Sequence, residues 1–194
     1  MGLRERKKAK TRRLIQQEAF RLFALRGYDA TTIDQIAEAA EISPSTFFRY
    51  FPTKEDVVID DDYDPLLMET FIAQPRSLSA VAALRRGMRE AFSKIYETDH
   101  GELLQRTKLQ LEHPALRTRM MSNQRNTTVR LAEAVAERYG LQPSDLAAQV
   151  FASAVVGAMW PALERWVASD GKADLPDLLD DCLAVVESGF PLGA

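Results

Sequence analysis

The residues best able to do chemistry crowd into the first quarter of the chain, and they are basic and hydroxylic. Residues 1–13 carry seven Lys/Arg against one Glu, and residues 1–53 carry ten against six. Residues 54–194 carry fifteen Lys/Arg against twenty-two Asp/Glu, and the whole chain has a net charge of −3. A basic end on an acidic body points to a polyanion partner for that end alone, or to a solvated tail. Further on, Ser43-Pro44-Ser45-Thr46 sets three hydroxyls around a proline, and Arg49, Tyr50 and Lys54 follow closely. Short hydroxyls, an arginine and a phenol are groups that hydrogen-bond phosphates and base edges.

Other reactive side chains do not assemble into a catalytic pattern. The two histidines, His100 and His113, fall near predicted helix ends, with no nucleophile signature, zinc spacing or phosphate loop beside them. No enzyme and no cofactor are expected. Cys182 is the single cysteine, which excludes an internal disulfide and a thiolate metal cluster and fits a reducing cytoplasm. The acidic run Asp60, Asp61, Asp62 and Asp64 suggests a divalent cation. It lacks the glycine and distal glutamate of a calcium loop, and reads as a solvated acidic face, so no metal is expected. The longest apolar stretch, Val150–Trp160 with Ser153 as its one polar residue, is about half the length of a membrane span. The basic start is not followed by the apolar core of a signal peptide. A cytoplasmic protein with no membrane partner is expected.

The elements that must position these residues are helices throughout. Apolar residues recur at helical spacing and alternating strand patterns are nearly absent, so the fold class is all-α. A first helix spans about 11–26, with Ile15, Ala19, Leu22 and Phe23 on one stripe and Gly27 as its stop. A second starts at Thr32, which has capping-box spacing to Gln35, and ends near Ala40. Ser43 then caps a third helix over 44–51, with Pro44 at its first position. Two short helices joined by so tight a turn make a helix-turn-helix, whose second helix enters the major groove. On that helix Phe47 and Phe51 share the supporting face, which leaves Ser45, Thr46 and Tyr50 as the better DNA candidates.

From Thr11 to Val57 the sequence resembles the tetracycline-repressor (TetR) family. The matches are Thr11, Ile15, Ala19, Leu22-Phe23, Gly27, Thr31-Thr32-Ile33, Ile36-Ala37, Ala40, the run SPSTFFRYF and Lys54-Glu55. The resemblance implies a DNA-binding domain over 1–54, basic arm included, and a ligand-binding and dimerisation domain over 55–194. It implies roles residue by residue. Thr31 and Thr32 hold a phosphate, Ser43, Pro44, Ser45, Thr46 and Arg49 form the reading helix, and Tyr50 and Lys54 contact the DNA backbone. Arg12 and Arg13 reach phosphates or the minor groove. Two positions depart from the family pattern. Glu41 stands where glycine is usual and costs about 1 kcal/mol if the turn is left-handed. Phe48 replaces a frequent tyrosine and lacks its phosphate-seeking hydroxyl, though its ring can still pack on the sugar backbone.

Beyond residue 54 the expectation is one helix over 54–73 that Pro65 bends or interrupts, then helices over 79–97, 102–112, 115–139, 145–168 and 175–188. That makes about nine, the number the resemblance implies. The resemblance also implies a dimer through the last two helices, with Val150, Ala154, Gly157 and Ala158 on one and Leu175, Leu179, Cys182 and Val186 on the other. It implies a pocket with Phe71, Met88, Phe92, Leu104, Met120, Met121, Gln124 and Trp160 as candidate lining; a kink from Pro161 near Gly157 either opens a cavity or is a detail of packing. Each of these apolar residues also reads as plain core. The segment 111–117, LEHPALR, is similar to one in a subgroup responsive to acyl-CoA thioesters, in which Arg85, Arg89 or Arg125 would meet the phosphates.

The expected function is that of a homodimeric repressor bound to a palindromic double-stranded DNA operator and released by a small apolar or amphipathic effector, an acyl-CoA among them. Two alternatives stay open: a ligand-sensing module that no longer binds DNA, and a multidrug-responsive repressor of an efflux pump.

Overall fold

Capping side chains set where the short helices begin. The computed structural model describes residues 2–60 and 63–190, apart from the side chains of residues 3, 64, 97 and 98. These residues form α1 (Leu3–Arg26), α2 (Ile33–Ala39), α3 (Pro44–Tyr50), α4 (Lys54–Ile59), α5 (Tyr63–Ala73), α6 (Ala80–Glu112), α7 (Pro114–Tyr139), α8 (Leu146–Ala168) and α9 (Leu175–Glu187). They divide into one unit of Met1–Asp60 with Lys108–Arg119, and a second of Asp61–Thr107 with Met120–Ala194. The sequence placed the boundary after residue 54. In the structure α4 stays with the first unit, and so do the end of α6 and the start of α7.

In the first unit, Thr32, Ser43 and Thr53 each accept a hydrogen bond from the backbone N–H three residues on, which fixes the starts of α2, α3 and α4. The turn from α2 to α3 is a Schellman motif: Ile42 N–H donates to Ala37 O at 2.9 Å and Glu41 N–H to Glu38 O at 3.0 Å. Glu41 sits there at φ 54°, the left-handed conformation that glycine would adopt without strain. The core beneath is Ile15, Ala19, Leu22 and Phe23 of α1 with Ile36, Ala37, Phe47, Phe51, Val57 and Leu116, as the α1 stripe foretold for its own part. α1 is two turns longer than expected, and residues 4–10 are all exposed.

The expected helix over 54–73 is two helices, α4 in the first unit and α5 in the second. α4 ends at Asp60 in extended backbone, and α5 restarts at Tyr63 with Pro65 in its first turn, where a missing N–H costs nothing. The expected break between 97 and 102 does not occur. Gly101 lowers helix stability by about 1 kcal/mol, but Phe92 and Ile95 before it and Leu103 after it are buried in one core, and α6 runs through. α8 likewise continues past Pro161. At 23 residues it is long and apolar enough to cross a membrane, a length missed by counting only the run from Val150 to Trp160.

Two contacts fix α5. Arg138 of α7 is buried and donates to the carbonyls of Ile72, Gln74 and Pro75 at 3.2, 2.7 and 2.6 Å, closing orphan acceptors at the helix end. Gly87 of α6 is buried against the α5 backbone, so close that a Cβ would sit 2.9 Å from Phe71 N. On the outside, Arg85 grips Asp180 of α9 with two bonds of 2.7 and 2.8 Å and also reaches Glu187.

Candidate nucleic-acid interface

α3 is held by one face and presents the other. Phe47 and Phe51, one turn apart, are fully buried in the first unit's core, their rings 6.0 Å apart. The opposite side carries Ser45, Phe48 and Arg49, all exposed, with Phe48 at 51 %. These stand at i, i+3 and i+4, so they share a face. The Arg49 guanidinium lies 5.6 Å from the Tyr50 ring and has no carboxylate partner among the described residues. A cation poised without a counter-ion on the outer face of a recognition helix can meet a phosphate or a guanine edge.

Ser43 and Pro44 are exposed at the start of α3. Ser43 Oγ accepts from Thr46 N–H at 3.1 Å and lies 2.9 and 3.0 Å from the Ser45 and Thr46 hydroxyls. The three hydroxyls thus form one small network at the N-terminal end of α3. Ser43 does its structural work through its lone pairs. Phe48 stacks edge-on against Phe47 at 5.7 Å, a rigid apolar plate in place of the usual phenol.

Several expected DNA contacts are engaged inside the protein instead. Thr31 is buried, and its hydroxyl donates to Gly27 O at 2.8 Å. It ties the end of α1 to the start of α2 and is not presented to a phosphate. Thr32 is exposed, but it forms the capping box, accepting from Gln35 N–H at 3.2 Å while its own N–H donates to Gln35 Oε1 at 3.1 Å. Lys54 Nζ donates to Tyr28 O at 2.9 Å and Thr31 O at 3.0 Å and sits 4.2 Å above the Tyr28 ring. An ammonium has three donors, so only one remains for a phosphate. Arg12 is no loose arm. Its guanidinium lies 4.4 Å over the Phe51 ring, donates to Tyr50 O at 3.4 Å and pairs with Asp60 at 3.4 Å. Arg13 is exposed on the basic end of α1, and Tyr50 is half-buried with its phenolic oxygen in no hydrogen bond with the described residues.

A set of residues that sequence reasoning missed fixes the frame behind α3. Buried Gln16 of α1 donates to Val57 O at 3.2 Å and Asp60 O at 2.7 Å, and buried Gln110 of α6 donates to Val58 O at 3.0 Å. Two glutamines thus satisfy the carbonyls with which α4 ends. Asp56 is buried and takes hydrogen bonds from the Thr53 N–H and hydroxyl and from Arg119 at 2.9 Å. Burial raises its pKa, but the bonds from Thr53 and Arg119 outweigh burial and hold the carboxyl below its ordinary value. His113 Nε2 lies 3.0 Å from Asp29 Oδ1, its ring 4.6 Å from that of Tyr28. Burial, and then the neighbouring Glu55, push the Tyr28 phenol up. Of these only the spacing of Thr53 to Asp56, a capping box, was visible as a local pattern.

In the second unit the expected ligand and dimer residues separate by burial. Phe71, Met88 and Phe92 are buried in the core, and Leu104 packs on its edge. Met120 and Gln124 are half-buried. Met121 is 58 % exposed and does not line an interior site. Arg89 points outward to Asp177 at 3.0 Å and Asp180 at 3.6 Å, and Arg85 is likewise neutralised, so neither is available to a ligand phosphate. Arg125 is exposed. Trp160 donates to Glu164 at 2.9 Å in an exposed setting. Leu175 and Leu179, expected at a dimer interface, are buried with Leu183 in the chain's own core. The spacing of 175, 179 and 183 is the inward stripe. Outward on α8 and α9 lie Leu146 at 75 %, Val150 at 57 % and Val185 at 46 % exposed, with an open Gly157. Ala154, Ala158, Cys182 and Val186 are half-buried at the margin of that face. Of the acidic run, Asp60 pairs with Arg12, while Asp61, Asp62 and the Asp64 side chain lie outside the described residues.

A reading helix wedged on two phenylalanines, with hydroxyls at its N-terminus and an unpaired arginine on its outer face, defines a helix-turn-helix DNA-binding regulator. Residues 15–60 match the model of the bacterial regulatory proteins of the tetR family, and residues 78–191 match the MftR C-terminal domain. The chain belongs to the TetR family of bacterial transcriptional regulators. It is 30% identical over 174 residues to the HTH-type transcriptional regulator TcmR of Streptomyces glaucescens, covering 84% of this chain and 76% of that protein. It is 28% identical over 192 residues to MftR of Mycobacterium tuberculosis, named as a mycofactocin biosynthesis transcriptional regulator, covering 95% and 93%. The fold is also that of the transcriptional regulator FadR from Bacillus subtilis in complex with stearoyl-CoA, with TM-score 0.61, 24% identity and coverage of 91% of this chain and 97% of that one.

Proposed function

We propose that the protein is a cytoplasmic homodimeric repressor that binds a palindromic operator through α3 and leaves it when a small apolar or amphipathic effector binds the second unit. The observation that carries the DNA-binding half is the outer face of α3, where Ser45, Phe48 and Arg49 stand exposed on a helix whose other face is locked into the core. The dimer is supported by the apolar outward face of α8 and α9, since Leu146, Val150 and Val185 would otherwise face water. A two-fold dimer presents two reading helices to half-sites about one turn, roughly 34 Å, apart.

Release requires an effector that prefers one of two states. α6 and α7 each contribute residues to both units. A shift in either helix is therefore felt at Gln110, His113 and Arg119, which bear on α4 and on the loop after α1. FadR bound to stearoyl-CoA supports an amphipathic effector. Glu41, where the family usually has glycine, would favour a sensor without DNA binding if it broke the turn. Its place in a complete Schellman turn argues for an intact reading head.

The test is selection of bound sequences from random duplex DNA, with Arg49→Ala as the control. A palindrome enriched by the native protein and lost in the variant supports the reading. No enrichment at low salt overturns it and leaves a ligand-binding module.

A further inference from the structure

An aromatic cluster between α6 and α8 has no part in reading DNA. Tyr96 and His100, one turn apart on α6, have ring centroids 4.5 Å apart. Trp166, near the end of α8, lies 6.4 Å from Tyr96 and 5.9 Å from His100. Phe92 closes the row edge-on, 6.4 Å from Tyr96.

The polar groups of this cluster are unequally served. The Tyr96 hydroxyl accepts from Leu175 N–H at 3.2 Å, and burial pushes its pKa up to about 12. Trp166 is fully buried, and its indole N–H has no acceptor among the described residues. Buried donors in native proteins are rarely left so, and each needs a reason. Beside it, His100 is half-buried and its ring nitrogens bond to no described residue. Gly101 follows, with nothing within 4 Å of where its Cβ would lie. An interior glycine without packing to hold it weakens the helical turn that carries His100. The most displaceable ring of the cluster therefore stands edge-on, 5.9 Å from the one whose donor is unmet.

We propose that Tyr96, His100 and Trp166 form the ring-receiving end of the effector site, and that it takes planar conjugated molecules bearing a carbonyl or phenolic oxygen. The ligand ring replaces His100 against Tyr96 and Trp166, and its oxygen accepts from Trp166 Nε1. Rings are selected because aromatic faces and edges attract one another at these spacings. Oxygen is selected because a site with an unmet donor rejects an analogue that cannot accept. The same leftover donor disfavours a lipophilic cation, and a flexible acyl chain offers the rings no face. The inference rests on the reading of the second unit as effector-binding.

The probes are 9-fluorenone and fluorene, flat tricycles that differ by one carbonyl, with lauroyl-CoA as the flexible comparator. The protein has two tryptophans, so Trp160→Phe leaves Trp166 as the single emitter. Fluorenone is expected to quench it with a Kd about tenfold below that of fluorene, the size of one hydrogen bond to an otherwise unmet buried donor. Trp166→Phe keeps a ring and removes the donor, and calorimetry on it should find the two tricycles equal. His100→Ala should tighten both. Equal Kd values in the native protein, an undiminished ratio in Trp166→Phe, or binding of lauroyl-CoA alone would each overturn the proposal. Operator binding separates the two readings. Fluorenone bound at Trp166 without loss of operator affinity leaves the site standing and removes the effector role. Release by lauroyl-CoA alone, equal in native protein and Trp166→Phe, does the reverse.

Discussion

Replacing Gly87 with alanine should destabilise the protein although alanine is the better helix former. A Cβ there would lie 2.9 Å from Phe71 N, 3.0 Å from Phe71 Cα and 3.0 Å from the Thr70 carbonyl carbon. All three are backbone atoms of α5, so no side chain can swing aside. The helices must separate, and forced overpacking costs about 1–3 kcal/mol. Helix propensity returns about 0.5–1 kcal/mol of this. The net loss is roughly 1–2 kcal/mol, which lowers the Tm by roughly 5 °C in a chain of this size. Gly101→Ala in the same helix is the internal control. Its Cβ meets nothing within 4 Å, so only the propensity gain should appear, about 0.5–1 kcal/mol of added stability. Urea unfolding of the two variants beside the native protein reads both signs. Equal stabilisation by the two substitutions would refute the argument that α5 and α6 cross in backbone contact at Gly87.

Arg138→Met should cost about 2–4 kcal/mol in chemical denaturation, because it leaves several carbonyls around the end of α5 without a donor. Arg49→Ala should weaken operator binding and lower the slope of log Kd against log salt by about one, with an unchanged Tm. Lys54→Met should instead lower the Tm, since its ammonium closes the Tyr28 and Thr31 carbonyls. Asp56 has a depressed folded pKa, so its contribution is present above the ordinary carboxylate range and is lost as pH falls through the folded value. Asp56→Asn should flatten the acid limb of the stability curve below pH of about 4; an unaltered limb would show that the bonds from Thr53 and Arg119 do not hold the carboxylate. Val150→Glu should shift the protein to monomer in sedimentation velocity and weaken operator binding with it.

What the sequence revealed was what neighbours along the chain decide. The caps Thr32 and Ser43, the stop at Gly27, the core pair Phe47 and Phe51 and the left-handed Glu41 are all consequences of a few adjacent residues. What stayed hidden depends on partners far along the chain. Thr31 looked like a DNA contact because nothing local reveals that its hydroxyl is spent on the Gly27 carbonyl, and nothing local reveals that two of the three Lys54 donors go to the Tyr28 and Thr31 carbonyls. Arg89 looked like an inward ligand cation until α9 brought Asp177 and Asp180 to it. On α9 the apolar stripe has two flanks, and periodicity alone did not show that 175, 179 and 183 face home. Gln16 and Gln110 are polar residues in apolar neighbourhoods, and their reason appears only with the carbonyls of α4 beside them.

The length of α1 has a consequence for how much DNA the protein occupies. The helix begins at Leu3, and Gly2 N–H donates to Glu5 at 2.9 Å. Arg4, Arg6, Lys7, Lys8 and Lys10 thus gather at the end of a helix whose backbone is already positive. That is electrostatic frustration in the free protein, and a polyanion relieves it. Two further turns at 1.5 Å per residue add roughly 12 Å of charged rod. Were that rod laid along a duplex at 3.4 Å per base pair, it would widen the footprint of the proposed dimer by about three to four pairs at each half-site. Such flanking pairs would add affinity without adding sequence information. Two operators with the same palindrome can then differ in occupancy by their flanks alone.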